Sequence, residues 1–362
     1  MLIKSLEVRN FRNYKYEKIY FSDGINILCG ENAAGKTNLL EAIFYFAAGK
    51  SFRNCHDCEI IGFGSDSAEA ALEFSDSSVD KRLSVLFQKG KRRRIRLGDS
   101  MPLKLSEYLG QFRAVIFTPD HLNLVKGAPV CRRRFMDIAI SQSFPRYAST
   151  LSEYNRVIAQ KNALLKRDNV NDGLLDVFNE KAANLSALIT VNRMKYLSKL
   201  ESEAKKFMFD ISGGTEELEL SYQSQAGNFR TKEELFEKYM ILSESHKKQE
   251  KEKCVTLYGA HKDDFSVLIN KKSARMYASQ GQQRSCVLSL KLAEGELSSC
   301  LTGNYPVFLL DDILSELDSF RKEFILSRIN GRQVVITGCE KELFKSEGNI
   351  IKIEGGTACT CS

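Results

Sequence analysis

Three observations predict an α/β fold built on one glycine-rich strand, loop and helix unit and split by a mainly helical insert. An apolar run, Ile25-Asn26-Ile27-Leu28, leads into a loop bounded by glycines, and a stretch of helical periodicity follows it. After Pro145 no proline occurs as far as Lys253, and apolar residues recur at helical spacing over 148–166 and 179–209. Past Leu257 strand-like and helix-like runs alternate again, with apolar strands at Val307–Leu310 and Val334–Thr337.

Each element has its local reason. Leu2, Ile3, Leu6 and Val8 stand among polar residues as a first strand and the start of a hairpin. The helix Thr37–Ala48 carries Leu39, Leu40, Ile43, Phe44 and Ala47 at helical spacing and stops at Gly49. Alternating runs between Ala68 and Leu97, punctuated by Lys89-Gly90 and Gly98-Asp99, predict an antiparallel flap. The insert lacks the sustained heptads of a long coiled-coil arm. The predicted organisation is a discontinuous α/β lobe over 1–118 and 255–362, with a helical lobe over 119–254 between its halves.

Composition narrows the class of protein. A chain of 362 residues, 43% of them hydrophobic, has material for about two domains. Met1–Tyr20 is interrupted by Lys4, Glu7, Arg9, Arg12, Lys15 and Lys18, which denies it the apolar core of a signal peptide. No apolar stretch approaches the roughly 20 residues of a membrane span, so a cytoplasmic protein without a membrane partner is expected. The ten cysteines are scattered and expected as free thiols. Cys55 and Cys58 form a C-x-x-C, but a closed zinc site takes about four ligands. The net charge of +7 suits a polyanionic partner without requiring one.

Gly30-Glu31-Asn32-Ala33-Ala34-Gly35-Lys36-Thr37 matches the phosphate-loop pattern G-x-x-x-x-G-K-[ST] in its strand-to-helix setting. Glycines let backbone N–H groups turn toward phosphate oxygens, and the helix amino terminus favours negative charge. ATP and Mg2+ are therefore the expected cofactors, with Lys36 on the terminal phosphates, a catalytic position, and Thr37 on the metal. The strand Val307-Phe308-Leu309-Leu310 ends in two acids. Asp311 is the expected second metal ligand, and Asp312 is placed to orient or deprotonate the attacking water. The alternative for Asp312 is a turn cap. Ser279, Gln280, Gly281 and Gln282 precede a helix with Cys286, Leu290, Ala293, Leu297 and Cys300 on one face, and form either a second phosphate-facing element or a simple helix cap.

In order along the chain, these motifs resemble those of ABC-type ATPase heads: phosphate loop, a signature-like loop at Ser279–Gln282, the Asp311-Asp312 pair and a D-loop-like Ser315-Glu316-Leu317-Asp318. The resemblance implies an ATP-dependent dimer in which each signature loop completes the partner's nucleotide site. Asp312 stands where glutamate is commoner in that family, which implies slow hydrolysis. Thr337 stands where transporter ATPases carry a switch histidine, and no Q-loop glutamine follows Val115-Ile116-Phe117.

Further strings resemble the RecF family of bacterial recombination-repair proteins: Val8-Arg9-Asn10-Phe11-Arg12-Asn13-Tyr14, Thr118–Gly127, Arg132-Arg133-Arg134-Phe135-Met136-Asp137 and Leu257–Asp264. In the last, Ala260 and Lys262 replace the usual proline and arginine. This resemblance implies Arg12 and Asn13 near the nucleotide. It also implies binding of double-stranded, gapped or single-stranded DNA, and cooperation with RecO and RecR in recombinase loading and SOS induction. For DNA contact the chain offers Lys91, Arg92, Arg94 and Arg96, with strand geometry placing the three arginines on one face. A charged edge strand that resists aggregation is the competing explanation. Arg132–Arg134 form a second basic cluster that either pairs with acids of the ATPase lobe or neutralises DNA phosphates, the pairing being expected. An ATPase subunit or ATP-binding scaffold acting on another partner is the alternative function.

Overall fold

The chain opens as a hairpin because Phe11 and Tyr14 pair across the turn Arg12-Asn13, with Arg12 in the left-handed region at φ 54°. The computed structural model describes residues 1–53, 55–99, 101–338 and 348–361. It forms two units, Met1–Leu122 with Arg284–Ser362, and Asn123–Gln283.

The first unit starts with β1 (Leu2–Phe11), β2 (Tyr14–Tyr20), β3 (Ile25–Cys29), α1 (Lys36–Ala48) and α2 (Asp57–Ile60). It continues through β4 (Ser67–Asp76), β5 (Val79–Gln88), β6 (Arg94–Leu97), α3 (Leu105–Tyr108) and β7 (Ala114–Phe117). An antiparallel sheet runs β2-β1-β4-β5-β6. Gly90 and Gly98 both take positive φ, as turn glycines do. The two-residue turn between β4 and β5 is instead made by Ser77 and Ser78, both left-handed (φ 51° and 69°), which no glycine announces.

The second unit holds α4 (Asn123–Lys126), α5 (Pro129–Ser143), α6 (Pro145–Leu165), α7 (Asp172–Ile211), β8 (Leu218–Gln223), α8 (Lys232–Lys253), β9 (Asp264–Ile269), β10 (Lys272–Ser273) and α9 (Ala274–Tyr277). The expected return to the ATPase lobe at residue 255 is displaced to Arg284, within α10 (Gln280–Thr302). The cause is strand pairing: β9 pairs along its whole length with β8, and β10 with β9, so this stretch completes the inserted unit with a three-stranded sheet.

Buried charge organises this unit. Asp263 is fully buried, and its Oδ2 accepts from Thr190 Oγ1 (2.8 Å), Tyr222 Oη (2.8 Å) and Tyr239 Oη (3.3 Å). Arg193 makes two 2.9 Å bonds to Asp137 and donates to the carbonyl of Ala260. Arg132 grips Asp264 through two bonds of 2.8 and 2.7 Å, and Arg133 donates to the backbone carbonyl of Asp263. Arg132 thus pairs with an acid of the stretch 255–362 that the sequence assigns to the ATPase lobe, and because α5 packs against β9 this pair lies within one unit.

The first unit resumes with β11 (Val307–Asp311), α11 (Ser319–Ile329), β12 (Val334–Gly338), β13 (Asn349–Glu354) and β14 (Thr357–Cys361). The second sheet of this unit runs β14-β13-β3-β12-β11-β7, with β14 antiparallel and the rest parallel. Strands covered on both faces read as continuous apolar runs, and β7 and β11 are buried at every position. Helix α1 is buried from Leu39 to Ala48. Among the described residues no helix is long and apolar enough to cross a membrane.

Replacing Asp263 by alanine leaves three hydroxyls without their shared acceptor and is expected to cost about 3 kcal/mol or more. Urea unfolding followed through the helical signal checks this; an unchanged midpoint would remove the network from the stability of the unit.

Candidate functional site

The glycine loop owes its shape to close neighbours. Gly35 has φ 117°, and a Cβ there would stand 2.7 Å from the hydroxyl of Tyr14 and from Nδ2 of Asn13. A Cβ on Gly30 would meet the carbonyl of Ile353 at 2.2 Å. The loop is pinned from outside by Asn13, whose Nδ2 donates to the carbonyl of Ala34 (3.0 Å) and whose Oδ1 accepts from Asn38 (2.7 Å). Lys36 begins α1, and its ammonium donates to the carbonyls of Gly30 (2.7 Å) and Glu31 (2.9 Å). The loop from Gly30 to Ala34 borders a cleft of about 860 Å3 whose far wall is the end of β13.

Arg12, at the turn that also carries Asn13, is tied to the helix that follows the loop. Its Nε and Nη2 donate to both oxygens of Glu41 (2.9 and 2.6 Å), and Nη1 donates to the carbonyl of Glu59. Glu41, on α1, is fully buried and lies 3.6 Å from Arg53, and the hydroxyl of Ser51 donates to it as well. Cys55 Sγ accepts from Arg12 at 2.9 Å, and Cys58 is exposed. Among the described residues no cluster of three or more His, Cys, Asp or Glu could hold a metal ion.

The strand ends supply the acids. Thr37 Oγ1 donates to Asp311 Oδ1 at 2.8 Å, and Thr337 Oγ1, at the end of β12, donates to the same oxygen at 3.0 Å. The Thr337 hydroxyl also accepts the backbone N–H of Asp312 at 2.9 Å. Burial pushes the Asp311 carboxyl upward from the usual range and neighbouring Asp312 adds to this, while the two threonine hydroxyls pull it back. Asp312 takes a left-handed backbone (φ 50°), which aspartate tolerates better than most residues. Its side chain makes no cap bond, so the turn-cap alternative fails; the turn is closed by Ser315 Oγ donating to the Asp312 carbonyl (2.6 Å). Asp318 accepts from the N–H of Arg321 and caps α11, and Arg321 Nε donates to Ser285 Oγ at 3.0 Å.

The first unit therefore brings together Lys36, Thr37, Asn13, Asp311, Asp312 and Thr337. Ser279, Gln280, Gly281 and Gln282 belong to the second unit. There Ser279 and Gln282 exchange hydrogen bonds as a reciprocal helix cap, Gln282 N–H to Ser279 Oγ (3.2 Å) and Ser279 N–H to Gln282 Oε1 (2.8 Å). Exposed Met276 and Tyr277 lie just before it. On β6, Arg94 and Arg96 are exposed, as are Lys91 and Arg92 before it, while Ile95 is buried, the alternation expected of a strand. Sequence reasoning missed Glu41 and the hydroxyl role of Thr337. A single acid within the apolar run Leu39–Ala48 was the available signal for Glu41.

A parallel sheet whose strand ends carry a phosphate loop and an acid pair, in a unit that also holds an antiparallel sheet and is interrupted in the chain by an inserted lobe, defines an ATPase head of the SMC class. Residues 2–360 match the RecF/RecN/SMC N terminal domain family. The head domain of the Pyrococcus furiosus Smc protein shares the fold, with a TM-score of 0.56 at 16% identity over 99% of this chain and 96% of that one. Much nearer is a structure described as the recombination mediator protein RecF bound to ATP in the RecFOR pathway, with a TM-score of 0.93 at 34% identity, covering 100% of this chain and 98% of that one. The DNA replication and repair protein RecF of Clostridium acetobutylicum is 38% identical, covering 98% of this chain and 99% of that protein. That of Acetivibrio thermocellus is 36% identical, covering 98% and 99%. The chain belongs to the RecF family of DNA replication and repair proteins.

Thr337→Val keeps the shape but leaves the Asp312 N–H without its acceptor and Asp311 with one donor fewer, for an expected loss of about 1–3 kcal/mol. Thermal unfolding of the variant checks this, and an unchanged midpoint would free Asp312 from dependence on β12.

Proposed function

We propose that the chain is an ATP-dependent DNA-binding switch of recombinational repair and of replication-gap maintenance. The observation that carries this reading is the Thr37–Asp311 bond, which sets a hydroxyl and a carboxylate 2.8 Å apart at the first turn of the phosphate-loop helix. Hard divalent cations prefer such oxygen ligands. The residues fit ATP and Mg2+: the Gly35 backbone passes where no side chain has room, and the amino terminus of α1, which favours negative charge, opens directly behind the glycine loop. Lys36 would leave the loop carbonyls for the terminal phosphates, and Thr37 and Asp311 would hold the metal. Bound magnesium supplies neutralisation of charge on the phosphate oxygens. Asp312 would orient the attacking water; its short side chain supports slow turnover, with dimerisation on ATP binding and release on hydrolysis. Ser279–Gln282 would face the nucleotide of a second copy. Support for RecO and RecR as partners, and for recombinase loading and SOS induction, comes from the family and from the RecFOR pathway named for the RecF structure. Lys91, Arg92, Arg94 and Arg96 would contact DNA phosphates without reading sequence.

The test is binding to a gapped duplex with and without ATP and Mg2+ at several salt concentrations, with molecular mass followed in parallel. ATP-dependent, salt-sensitive binding at doubled mass is expected, and Lys36→Ala should abolish all three effects. ATP-driven dimers that ignore DNA would leave an ATPase subunit or scaffold for another partner. Asp312→Asn should keep ATP affinity and lower the hydrolysis rate by about 100-fold or more, the usual weight of a positioned acid–base group, as read by phosphate release.

A further inference from the structure

Away from the nucleotide loop, the first unit has a second concavity, a cleft of about 470 Å3 bordered by Asp57, Arg92, Arg93, Ile95, Lys104 and Tyr108. We infer that this cleft seats one phosphodiester group of a nucleic-acid backbone, held by Arg92, Arg93, Lys104 and the hydroxyl of Tyr108. The inference rests on the DNA-binding reading above and moves its centre from the outer face of β6 to the hollow beside it.

Charge and order both point this way. Three cations meet a single lining carboxylate, and both oxygens of that carboxylate are engaged: Asp57 Oδ2 by Arg93 Nη1 (2.7 Å) and Oδ1 by Tyr45 Oη (2.9 Å). The Arg93 guanidinium lies 5.4 Å from the Tyr45 ring centroid, so ring and carboxylate fix its plane while its side chain keeps 27% exposure. Neither Arg92 nor the Lys104 ammonium has an ion pair among the described residues. The nearby acid Glu107 is occupied in capping the Lys104 N–H (2.7 Å). The segment bearing Lys104 is tied to β6 by the Leu103 N–H, which donates to the Ile95 carbonyl (2.8 Å).

The second observation is independent of charge. Tyr108 is fully buried, and its hydroxyl has no hydrogen-bond partner among the described residues. A buried hydroxyl left unpaired costs about 1–3 kcal/mol, and a phosphate oxygen at this site would offset that cost. Burial raises the Tyr108 phenol above its ordinary range, so the hydroxyl stays a donor at neutral pH. A backbone phosphate fits better than a free nucleotide for two reasons. The cleft's aromatic ring is buried and offers a base no stacking face, and exposed Arg94 and Arg96 continue the positive surface along β6.

The test compares Arg92→Gln with Lys104→Gln as a double variant, and Tyr108→Phe alone, for ATP-dependent binding to a gapped duplex across a salt series. The double variant should bind roughly fivefold to tenfold more weakly, and its salt slope should fall by about one. Tyr108→Phe should weaken DNA binding while its thermal midpoint stays level or rises, which a purely structural tyrosine would not do. Wild-type DNA binding with unchanged affinity and slope in both variants would overturn the cleft assignment and leave the DNA-binding reading standing. No DNA binding by the wild type would overturn both. In a Lys36→Ala background, a Tyr108-dependent rise in thermal midpoint with inorganic phosphate or ATP, without Tyr108-dependent DNA binding, would give the cleft to a small phosphorylated ligand and overturn the backbone assignment.

Discussion

One shared hydroxyl–carboxylate junction fixes the chemistry of this molecule. Asp311 Oδ1 receives Thr37 from the glycine-loop helix and Thr337 from the neighbouring strand, and Thr337 in turn receives the N–H of Asp312. A buried carboxylate is tolerated when donors surround it, and here the donors come from the three segments that must be aligned. Parallel strands bring their carboxyl ends to one edge of the sheet, so the junction forms where the loop after β3, the acids after β11 and the threonine of β12 meet.

The same logic recurs at Glu41 and Asp263 with different partners. Glu41 is buried and answered by charge, with Arg12 bonded to both of its oxygens and Arg53 nearby. Asp263 is answered by hydroxyls from α7, β8 and α8, while Arg133 takes its backbone carbonyl. Truncating a partner in either case leaves a buried group unsatisfied, so both positions should resist substitution although neither is expected to touch nucleotide.

What could be read from the sequence was local. The glycine loop, the helix after it and the acids after an apolar strand each depend on residues close together in the chain, and each stands where expected. The end of the insert was misplaced because a resuming strand pattern at 264–269 says nothing of its partner, and β8 lay unmarked inside a helical region. The β4–β5 turn escaped because serine rather than glycine supplies the left-handed residues. The bond of Arg12 to Glu41 joins positions 29 residues apart, and no spacing rule links them. Arg132 to Asp264, across 132 residues, is the same problem at greater range.

The strand order of the parallel sheet has a consequence for synthesis on the ribosome. β3, which carries the glycine loop, lies between β12 and β13 and pairs with both, so residues 25–29 wait for residues 334–338 and 349–354. The nucleotide loop therefore cannot acquire its flanking strands until residues 334–354 have been translated. The inserted unit, contiguous from Asn123 to Gln283, has all its sheet partners within reach long before that. A nascent chain stalled short of β12 would carry a finished insert beside an apolar β3 without a partner, a species for chaperones to shield rather than one able to hold nucleotide.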